Sequence, residues 1–414
     1  MYSKVSKVAF SNISSQAILL ASTPFLLQLY SPASFGQLAN FMGILGVLSV
    51  VASLRLELAI GPEDSDKVSA LTSTCKKIVF LNTALLTVML FFLQYLDLLP
   101  QIYWLLIPSL FLTGMIQIYT IVFLRINYTN SLALFRILQT LLLVGTQFLI
   151  YGQLENGLII GYVVGIASCC LAMEFIKPKQ FSYIRNNTFI VDVSRNANFI
   201  KYSTPAALIN TLGMHLPIFA FMFAFSSEMV GLLALSLRLL MAPLGIVAQA
   251  ISKTLISESY LITDADKAKK VLKKVTNIQY PIVFVTIVIV SLLSPDIFIF
   301  LRIEEWSESL AYFYIVLPWA ITSFIGSPLL SYLETSNRQK EVYYFQSIMF
   351  LIRGFVLIIA VIYLTPIEAA LVFSITSSLI WAMLILNLRN QMRSSSFIFL
   401  FILFYAIYLS LQVL

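Results

Sequence analysis

The stretch LALSLRLLMAPLGI, residues 233–246, carries one arginine, Arg238, in an otherwise apolar run. A permanent charge is costly inside a bilayer, so such a side chain faces a bundle interior or a water-filled cavity and indicates function. The composition around it points to a bilayer as the solvent, because 59% of the 414 residues are hydrophobic and only 11% are charged. The chain is therefore predicted to be an all-α polytopic membrane protein.

Apolar segments of about 20 residues, the length that crosses a hydrocarbon core of roughly 30 Å, follow one another almost end to end. The alternating pattern of a membrane β-barrel is absent. The first segment is predicted to be a span and not a removed signal peptide, because no small-residue cleavage site follows it. The predicted spans are 5–30, 35–60, 76–96, 102–124, 131–151, 156–176, 201–225, 228–257, 277–301, 307–332, 341–364 and 367–388, and residues 396–414 are a possible thirteenth.

Lysine and arginine concentrate on alternate connections, which predicts that these connections and the N-terminus are cytoplasmic. The intervening connections are acidic, with Arg302 as their one clear cation. The net charge of +7 is therefore a topology signal and does not predict nucleic-acid binding. The cations that set this pattern are Lys4, Lys7, Lys67, Lys76, Lys77, Arg125, Lys177, Lys179, Arg185, Arg195, Lys201, Lys267, Lys269, Lys270, Lys273, Lys274, Arg338, Lys340, Arg389 and Arg393.

An internal repeat divides the chain into two halves. SPASFGQLA (31–39) matches SSEMVGLLA (226–234), and DSDKV (64–68) matches DADKA (264–268), at offsets of about 195 and 200 residues. The copies are separated by an even number of spans, so they run in the same direction through the membrane. The predicted domains are a six-helix bundle at 1–176, a cytoplasmic linker at 177–200, a second six-helix bundle at 201–390 and a C-terminal hydrophobic extension at 391–414.

Three potential cations are predicted at a similar depth near the middle of the bilayer. They are Arg238, Arg353 in FLIRGFVLIIA and the single histidine, His215, in NTLGMHLPIF. No Asp or Glu is nearby in sequence at that depth, so an anion is the expected complement. The alternatives are arginines bound to backbone carbonyls for packing and a histidine satisfied in the core.

Further polar residues fall on helical stripes that predict cavity walls. Asn12 and Gln16 share a stripe on the first span, and Gln249 and Lys253 share one with Arg238 on the eighth. Hydrogen bonding between helices is the alternative for the neutral residues. Arg55, at the end of the second span and equivalent to Lys253 by the repeat, is predicted at a cationic inner mouth, with snorkelling or pairing with Glu57 as alternatives.

Signals for enzyme chemistry are absent from the sequence. The three cysteines, Cys75, Cys169 and Cys170, have no metal or disulfide spacing, and no nucleophile constellation, phosphate loop or paired carboxylates occur. The chain is therefore predicted not to be an enzyme and to need neither a cofactor nor a metal.

Three segments resemble the bacterial O-antigen and polysaccharide flippases of the multidrug, oligosaccharidyl-lipid and polysaccharide exporter superfamily. These segments are LYSPASFGQLA, RLELAIGP and VGLLALSLRLLMAPLGIVAQAISKTLISE. The resemblance implies a V-shaped pair of six-helix bundles that alternates between inward-open and outward-open states. It also implies a cationic central cavity, which corresponds to Arg238 and more loosely to His215, Arg353 and Arg55.

The expected substrate is an undecaprenyl-pyrophosphate-linked oligosaccharide, moved from the inner to the outer leaflet of the bacterial cytoplasmic membrane. Membrane lipids, a polysaccharide polymerase and a chain-length regulator are the other expected partners, with no nucleic acid. Two alternatives remain: another exporter of the same superfamily, such as a peptidoglycan-precursor flippase or a drug antiporter, and a membrane glycan polymerase or ligase. The first span lacks the carboxylate that a cation-coupled drug antiporter would use.

Overall fold

The protein is helical throughout the part of the chain that the structure describes. A computed structural model covers residues 2–412 except 62, 64, 98–99, 155, 177–188, 260–264, 336–337 and 392–396, and these residues contain no strand. The helices are α1 (Tyr2–Leu29), α2 (Pro32–Ala52), α3 (Ser65–Tyr95), α4 (Leu106–Arg125), α5 (Thr129–Ile150), α6 (Gly157–Ile176), α7 (Phe189–Arg195), α8 (Thr204–Ala224), α9 (Ser227–Ser259), α10 (Ala265–Ser291), α11 (Pro295–Phe300), α12 (Ser309–Thr335), α13 (Gln339–Tyr363), α14 (Pro366–Gln391) and α15 (Phe397–Leu411).

Ten helical segments among the described residues are long and apolar enough to cross a membrane. This confirms the all-α polytopic class. The apolar part of α10, Asn277–Ser291, is shorter than these ten segments. The C-terminal helix α15 has 15 residues and is therefore about 22 Å long, less than the roughly 30 Å of a hydrocarbon core.

Two predicted spans are interrupted in the structure. The span predicted at 35–60 is helical only to Ala52, after which Leu54 and Arg55 adopt positive φ angles of 54° and 59°. A short 3₁₀ helix, Leu56–Ile60, follows, because a right-handed α-helix cannot continue through left-handed residues. The span predicted at 277–301 breaks before Pro295, which starts α11, since proline fits the first turn of a helix and disrupts its interior.

The chain divides into two compact units. The first contains residues 1–30 and 37–212, and the second contains residues 31–36 and 213–414. The first turn of α2 thus belongs to the second unit, where Phe35 packs edge-on against Trp306 at a centroid distance of 5.0 Å.

In the first unit, α5 packs against both α1 and α6. Three glycines spaced four residues apart, Gly157, Gly161 and Gly165, bring α6 close to its neighbours, and a Cβ at Gly165 would lie 2.9 Å from the carbonyl oxygen of Gln139. Helix α7 is tied to the α3 region by a Thr74 to Asp192 hydrogen bond of 2.7 Å and an Arg195–Glu63 ion pair of 2.9 Å. The segment predicted as a linker thus contains an ordered helix.

In the second unit, α12 is the central element and packs against α9, α14 and α15. Its side chains Ile315, Leu317 and Ile321 are fully buried, as is Trp306 in the turn before it. The Ser236 hydroxyl on α9 donates to the backbone oxygen of Ser309 at 3.2 Å, which joins these two helices by a polar contact that needs no charge.

The two copies of the repeat meet at a reciprocal glycine contact inside the second unit. A Cβ added to Gly36 would lie 1.9 Å from the carbonyl oxygen of Ser227, and one added to Gly231 would lie 1.8 Å from that of Pro32. In the aligned motifs, Pro32 corresponds to Ser227 and Gly36 to Gly231. Equivalent residues therefore exchange equivalent contacts, which supports the repeat that the sequence predicts.

The charge pattern makes a testable prediction about topology. A reporter that is active only outside the cytoplasm is expected to be active when fused near Pro32, Glu228 or Glu304, because these positions lie in cation-poor connections. The same reporter fused near Arg185 or Lys269 is expected to be silent. Activity at Lys269 would contradict the paired arrangement of six spans in each half.

Candidate functional site

Arg238 lies on α9, about 16 Å along the helix from Ser227. The neighbouring Leu240 and Leu244 are buried, and Arg238 lies about 160° around the helix from Leu240, away from that packed face. Arg238 is half-buried and forms no hydrogen bond or ion pair with any residue that the structure describes. Its guanidinium is therefore a charge without a counter-charge among those residues.

Arg125 shows how a packing arginine differs from Arg238. Its Nη1 donates to the backbone oxygens of Ile60 and Gly61 at 2.9 and 2.7 Å, which ties α4 to the turn that follows the 3₁₀ helix. Arg238 has no such carbonyl partner in the described part of the chain. The geometry at Arg238 therefore favours binding of an external group over a packing role.

Arg353 lies on α13 and is only 4% exposed. Its Cζ atom is 4.7 Å from the ring centroids of both Trp319 on α12 and Phe373 on α14, two cation–π contacts that offset part of the cost of burying the charge. Two guanidinium nitrogens, Nε and Nη2, are sealed from the surface and have no hydrogen-bond partner in the described chain. In this conformation Arg353 is held by aromatic packing, an arrangement closer to the packing alternative than that of Arg238.

His215 lies on α8, two residues before Pro217, and is half-buried. Its ring packs at a tilt against Phe219 on the next turn, with centroids 6.0 Å apart. Among the described residues it has no hydrogen-bond or ion-pair partner, so neither of its ring nitrogens is committed to a core hydrogen bond there.

Towards the end of α9, Gln249 is exposed and its amide has no partner within the described residues. Lys253 also lies on α9, but its side chain is outside the described residues. Of the stripe predicted from Arg238 to Lys253, the structure therefore describes the side chains of Arg238 and Gln249.

Arg55 lies in the left-handed turn after α2, not at the end of a continuous helix. Its Nε is buried without a hydrogen-bond partner among the described residues. No hydrogen bond or ion pair joins Arg55 to Glu57 among the described residues, and the Glu57 carboxylate accepts from the Ser53 hydroxyl at 2.5 Å. Arg55 and Lys253 therefore differ in backbone setting, since α9 is helical through residue 253.

The structure adds Arg136, an arginine that sequence reasoning missed. Arg136 lies on α5, about 10 Å from its first residue, and its Nη1 donates to Asn12 Oδ1 on α1 at 3.0 Å. The Ser15 hydroxyl donates to the Arg136 backbone oxygen at 3.2 Å. The signal was present in the segment SLALFRILQT, residues 131–140, where an arginine interrupts an apolar run as Arg238 does.

Gln16 and Thr23 lie on the same face of α1 as Asn12, since they follow it by four and eleven residues. Gln16 is half-buried with no partner among the described residues. Thr23 is buried and donates to Leu19 O in its own helix at 2.7 Å, so its hydroxyl is not available to a cavity. The polar face that is open to binding on α1 thus centres on Asn12 and Gln16.

Solved structures of similar fold cover almost the whole chain. Lipid II flippase MurJ, in an inward closed conformation, matches with a TM-score of 0.75 at 15% identity, over 100% of this chain and 92% of that one. An inward-facing multidrug resistance MATE family transporter of the MOP superfamily matches with a TM-score of 0.71 at 12% identity, over 93% and 98%. The fold of this chain is therefore similar to those of the MATE transporter and the lipid II flippase. No family model and no curated protein sequence matches.

A third solved structure shows that the MOP fold accommodates different pockets. It is a MOP superfamily transporter from Pyrococcus furiosus, whose binding pocket is described as having reversed polarity that suggests a different function. It matches with a TM-score of 0.62 at 12% identity over 94% of this chain and 95% of that one. The fold alone therefore does not identify the substrate, and the charge of the site is the feature that bears on it.

Proposed function

We propose that the protein is a flippase that moves a polyprenyl-pyrophosphate-linked oligosaccharide across the bacterial cytoplasmic membrane. The observation that carries this proposal is Arg238, a half-buried arginine in a membrane-spanning helix with no counter-charge among the described residues. A pyrophosphate supplies that counter-charge, and the planar guanidinium forms charge-assisted, bidentate hydrogen bonds to phosphate oxygens. The substrate is an O-antigen unit or another repeat unit of a surface polysaccharide.

The absence of acidic side chains around this position argues against a cationic cargo. Between Glu228 and Glu258, α9 carries no Asp or Glu, and α8 carries none at all. A drug cation needs acceptors in its site, whereas Arg238 and His215 are the ionisable groups in the middle of these helices. The lipid II flippase of similar fold is an example in which such a fold moves a lipid-linked substrate.

In the proposed mechanism the pyrophosphate binds at Arg238 while the polyprenyl tail stays in the bilayer, and Gln249 and His215 are further polar groups along the path of the headgroup. Alternation between inward-open and outward-open states then carries the headgroup across. A polysaccharide polymerase and its chain-length regulator are the proposed protein partners on the outer face.

The decisive experiment locates the substrate after the gene is removed. Deletion is expected to leave the lipid-linked oligosaccharide on the cytoplasmic leaflet and to abolish the surface glycan, because a charged and hydrated headgroup does not cross the hydrocarbon core unaided. Complementation with the wild-type chain is the matched control. Accumulation on the outer leaflet would reject the flippase and point to a polymerase or ligase.

A second candidate function is movement of lipid II, the substrate named for MurJ, whose structure is matched over the full length of this chain. It requires the same anion site, so Arg238 does not discriminate between the two. Loss of cell-wall precursor export, with the surface glycan unchanged, would favour this candidate.

The substrate charge makes a prediction about the driving force. A pyrophosphate diester carries two negative charges, and an inside-negative potential favours their outward movement by about 2.3 kcal/mol per charge per 100 mV. Collapsing the membrane potential is expected to slow flipping, whereas removing only the pH gradient is expected to have little effect. His215→Ala should keep much of its rate. Strict dependence on the pH gradient with an intact potential would instead place proton transfer at His215.

A further inference from the structure

The first unit contains a guanidinium at membrane depth, Arg136, in addition to Arg238 and Arg353 of the second unit. One of the five N–H groups of Arg136 donates to Asn12 Oδ1. The Nε and Nη2 groups have no partner among the described residues and, unlike those of Arg353, they are not sealed from the surface. Most of the N–H groups of Arg136 therefore have no acceptor among the described residues.

Asn12 is oriented so that it adds donors and no acceptor. Its Oδ1 is used by Arg136, which leaves the two N–H groups of Nδ2 without a partner among the described residues. The Ser15 hydroxyl is occupied by the Arg136 backbone oxygen. A ligand at this place must supply acceptors, so a cation is excluded and an anion fits.

Charge balance in the first unit leads to the same conclusion. Helices α1, α4, α5 and α6, which form the packing around Arg136, contain a single carboxylate, Glu174, two residues before the end of α6. Tyr119 donates its hydroxyl to that carboxylate. No carboxylate on these four helices therefore lies at the depth of Arg136, about 10 Å inside α5.

We infer that Arg136 and Asn12 form a phosphate-binding site in the first unit, in addition to Arg238 in the second. The inference rests on the proposed function, in which the phosphate belongs to the lipid carrier. The guanidinium binds phosphate oxygens through Nε and Nη2, and Asn12 Nδ2 donates to a third oxygen. An anionic phospholipid headgroup offers the same chemistry and is the alternative source of the phosphate.

The test uses Asn12→Asp, which places a carboxylate against Arg136 and satisfies its charge from within the protein. The full chain in nanodiscs of phosphatidylcholine is titrated with inorganic pyrophosphate and with undecaprenyl pyrophosphate, in the wild type and in an Arg238→Gln background. Asn12→Asp and Arg136→Gln are each expected to weaken binding about tenfold or more. Ser15→Ala, which removes only a contact between α1 and α5, is the matched control and should bind normally.

The possible results separate the explanations. If Arg136 only ties α1 to α5, Asn12→Asp should keep or strengthen that tie, and normal pyrophosphate binding by this variant would overturn the site. Phosphatidylglycerol is also added to the nanodiscs of the wild type. If it weakens pyrophosphate binding as the variants do, a phospholipid headgroup occupies the site. The binding measurement does not depend on which glycan the protein moves. The phosphate site is therefore supported if the variants weaken pyrophosphate binding, even when deletion of the gene leaves the leaflet distribution of lipid-linked glycan unchanged.

Discussion

Arg238→Ala is expected to reduce export of the lipid-linked oligosaccharide by at least tenfold while the protein remains in the membrane at normal level. In the proposed function the substitution removes charge-assisted hydrogen bonds to the pyrophosphate, each worth about 1.5–3 kcal/mol. It leaves the buried contacts of α9 intact, because Arg238 lies away from the packed face marked by Leu240 and Leu244. Surface glycan and membrane protein level are measured together.

Two further substitutions at this position distinguish anion binding from packing. Arg238→Lys is expected to retain partial export, since the charge survives and the fork geometry is lost. Arg238→Met keeps length and apolarity without charge, so it should fail as alanine does. Full export by Arg238→Met would reject the anion site. Arg353→Ala should weaken export less and lower protein level more, because its guanidinium packs on Trp319 and Phe373.

Gly36→Ala and Gly231→Ala are expected to be the most damaging of the small substitutions in the chain. At each position the added Cβ would lie within 2 Å of a backbone oxygen, a distance that real contacts do not reach. Both oxygens are backbone atoms and cannot turn aside, so the backbones around Gly36 and Gly231 must separate by more than about 1 Å. Overpacking of this kind costs typically 1–3 kcal/mol and occasionally more.

The matched control for these glycines is Gly145→Ala on α5, where no atom lies within 4 Å of the added Cβ. This change should be neutral or stabilise the helix by up to about 1 kcal/mol, because alanine has the higher helix propensity. Thermal unfolding of the purified chain and export in cells are the measurements. Equal behaviour of Gly36→Ala and Gly145→Ala would show that the close crossing does not constrain the protein.

Much of the fold was predictable because it depends on properties that are local in sequence. A run of apolar residues crosses a bilayer whatever its neighbours are, and ten of the twelve predicted spans correspond to helices that are long and apolar enough to do so among the described residues. The errors arose where local backbone geometry intervened, at Leu54 and Arg55 after α2 and at Pro295 before α11. Residues with a positive φ angle cannot be recognised from hydropathy. The effect of a proline depends on its position in the helix.

The candidate site was only partly predictable from the sequence. Arg238, Arg353 and His215 stand out in an apolar sequence because charged or ionisable groups are rare there. Their environments did not follow from that observation: Arg353 is held between two aromatic rings, whereas Arg238 has no described polar partner. Arg136 was as visible as Arg238 in the sequence, but its partner Asn12 is 124 residues away.

The sequence by itself determined the membrane environment and the helical class, and it predicted the duplication, because transfer free energy, helical period and matched motifs are all properties of one chain. Tertiary structure alone decided which arginines are packed and which remain open to a ligand. It also decided that Gly36 and Gly231 contact the opposite copy of the repeat. Burial and hydrogen bonding are properties of pairs of residues on different helices, whose separation in the chain runs from 20 residues for Arg353 and Phe373 to 124 for Asn12 and Arg136.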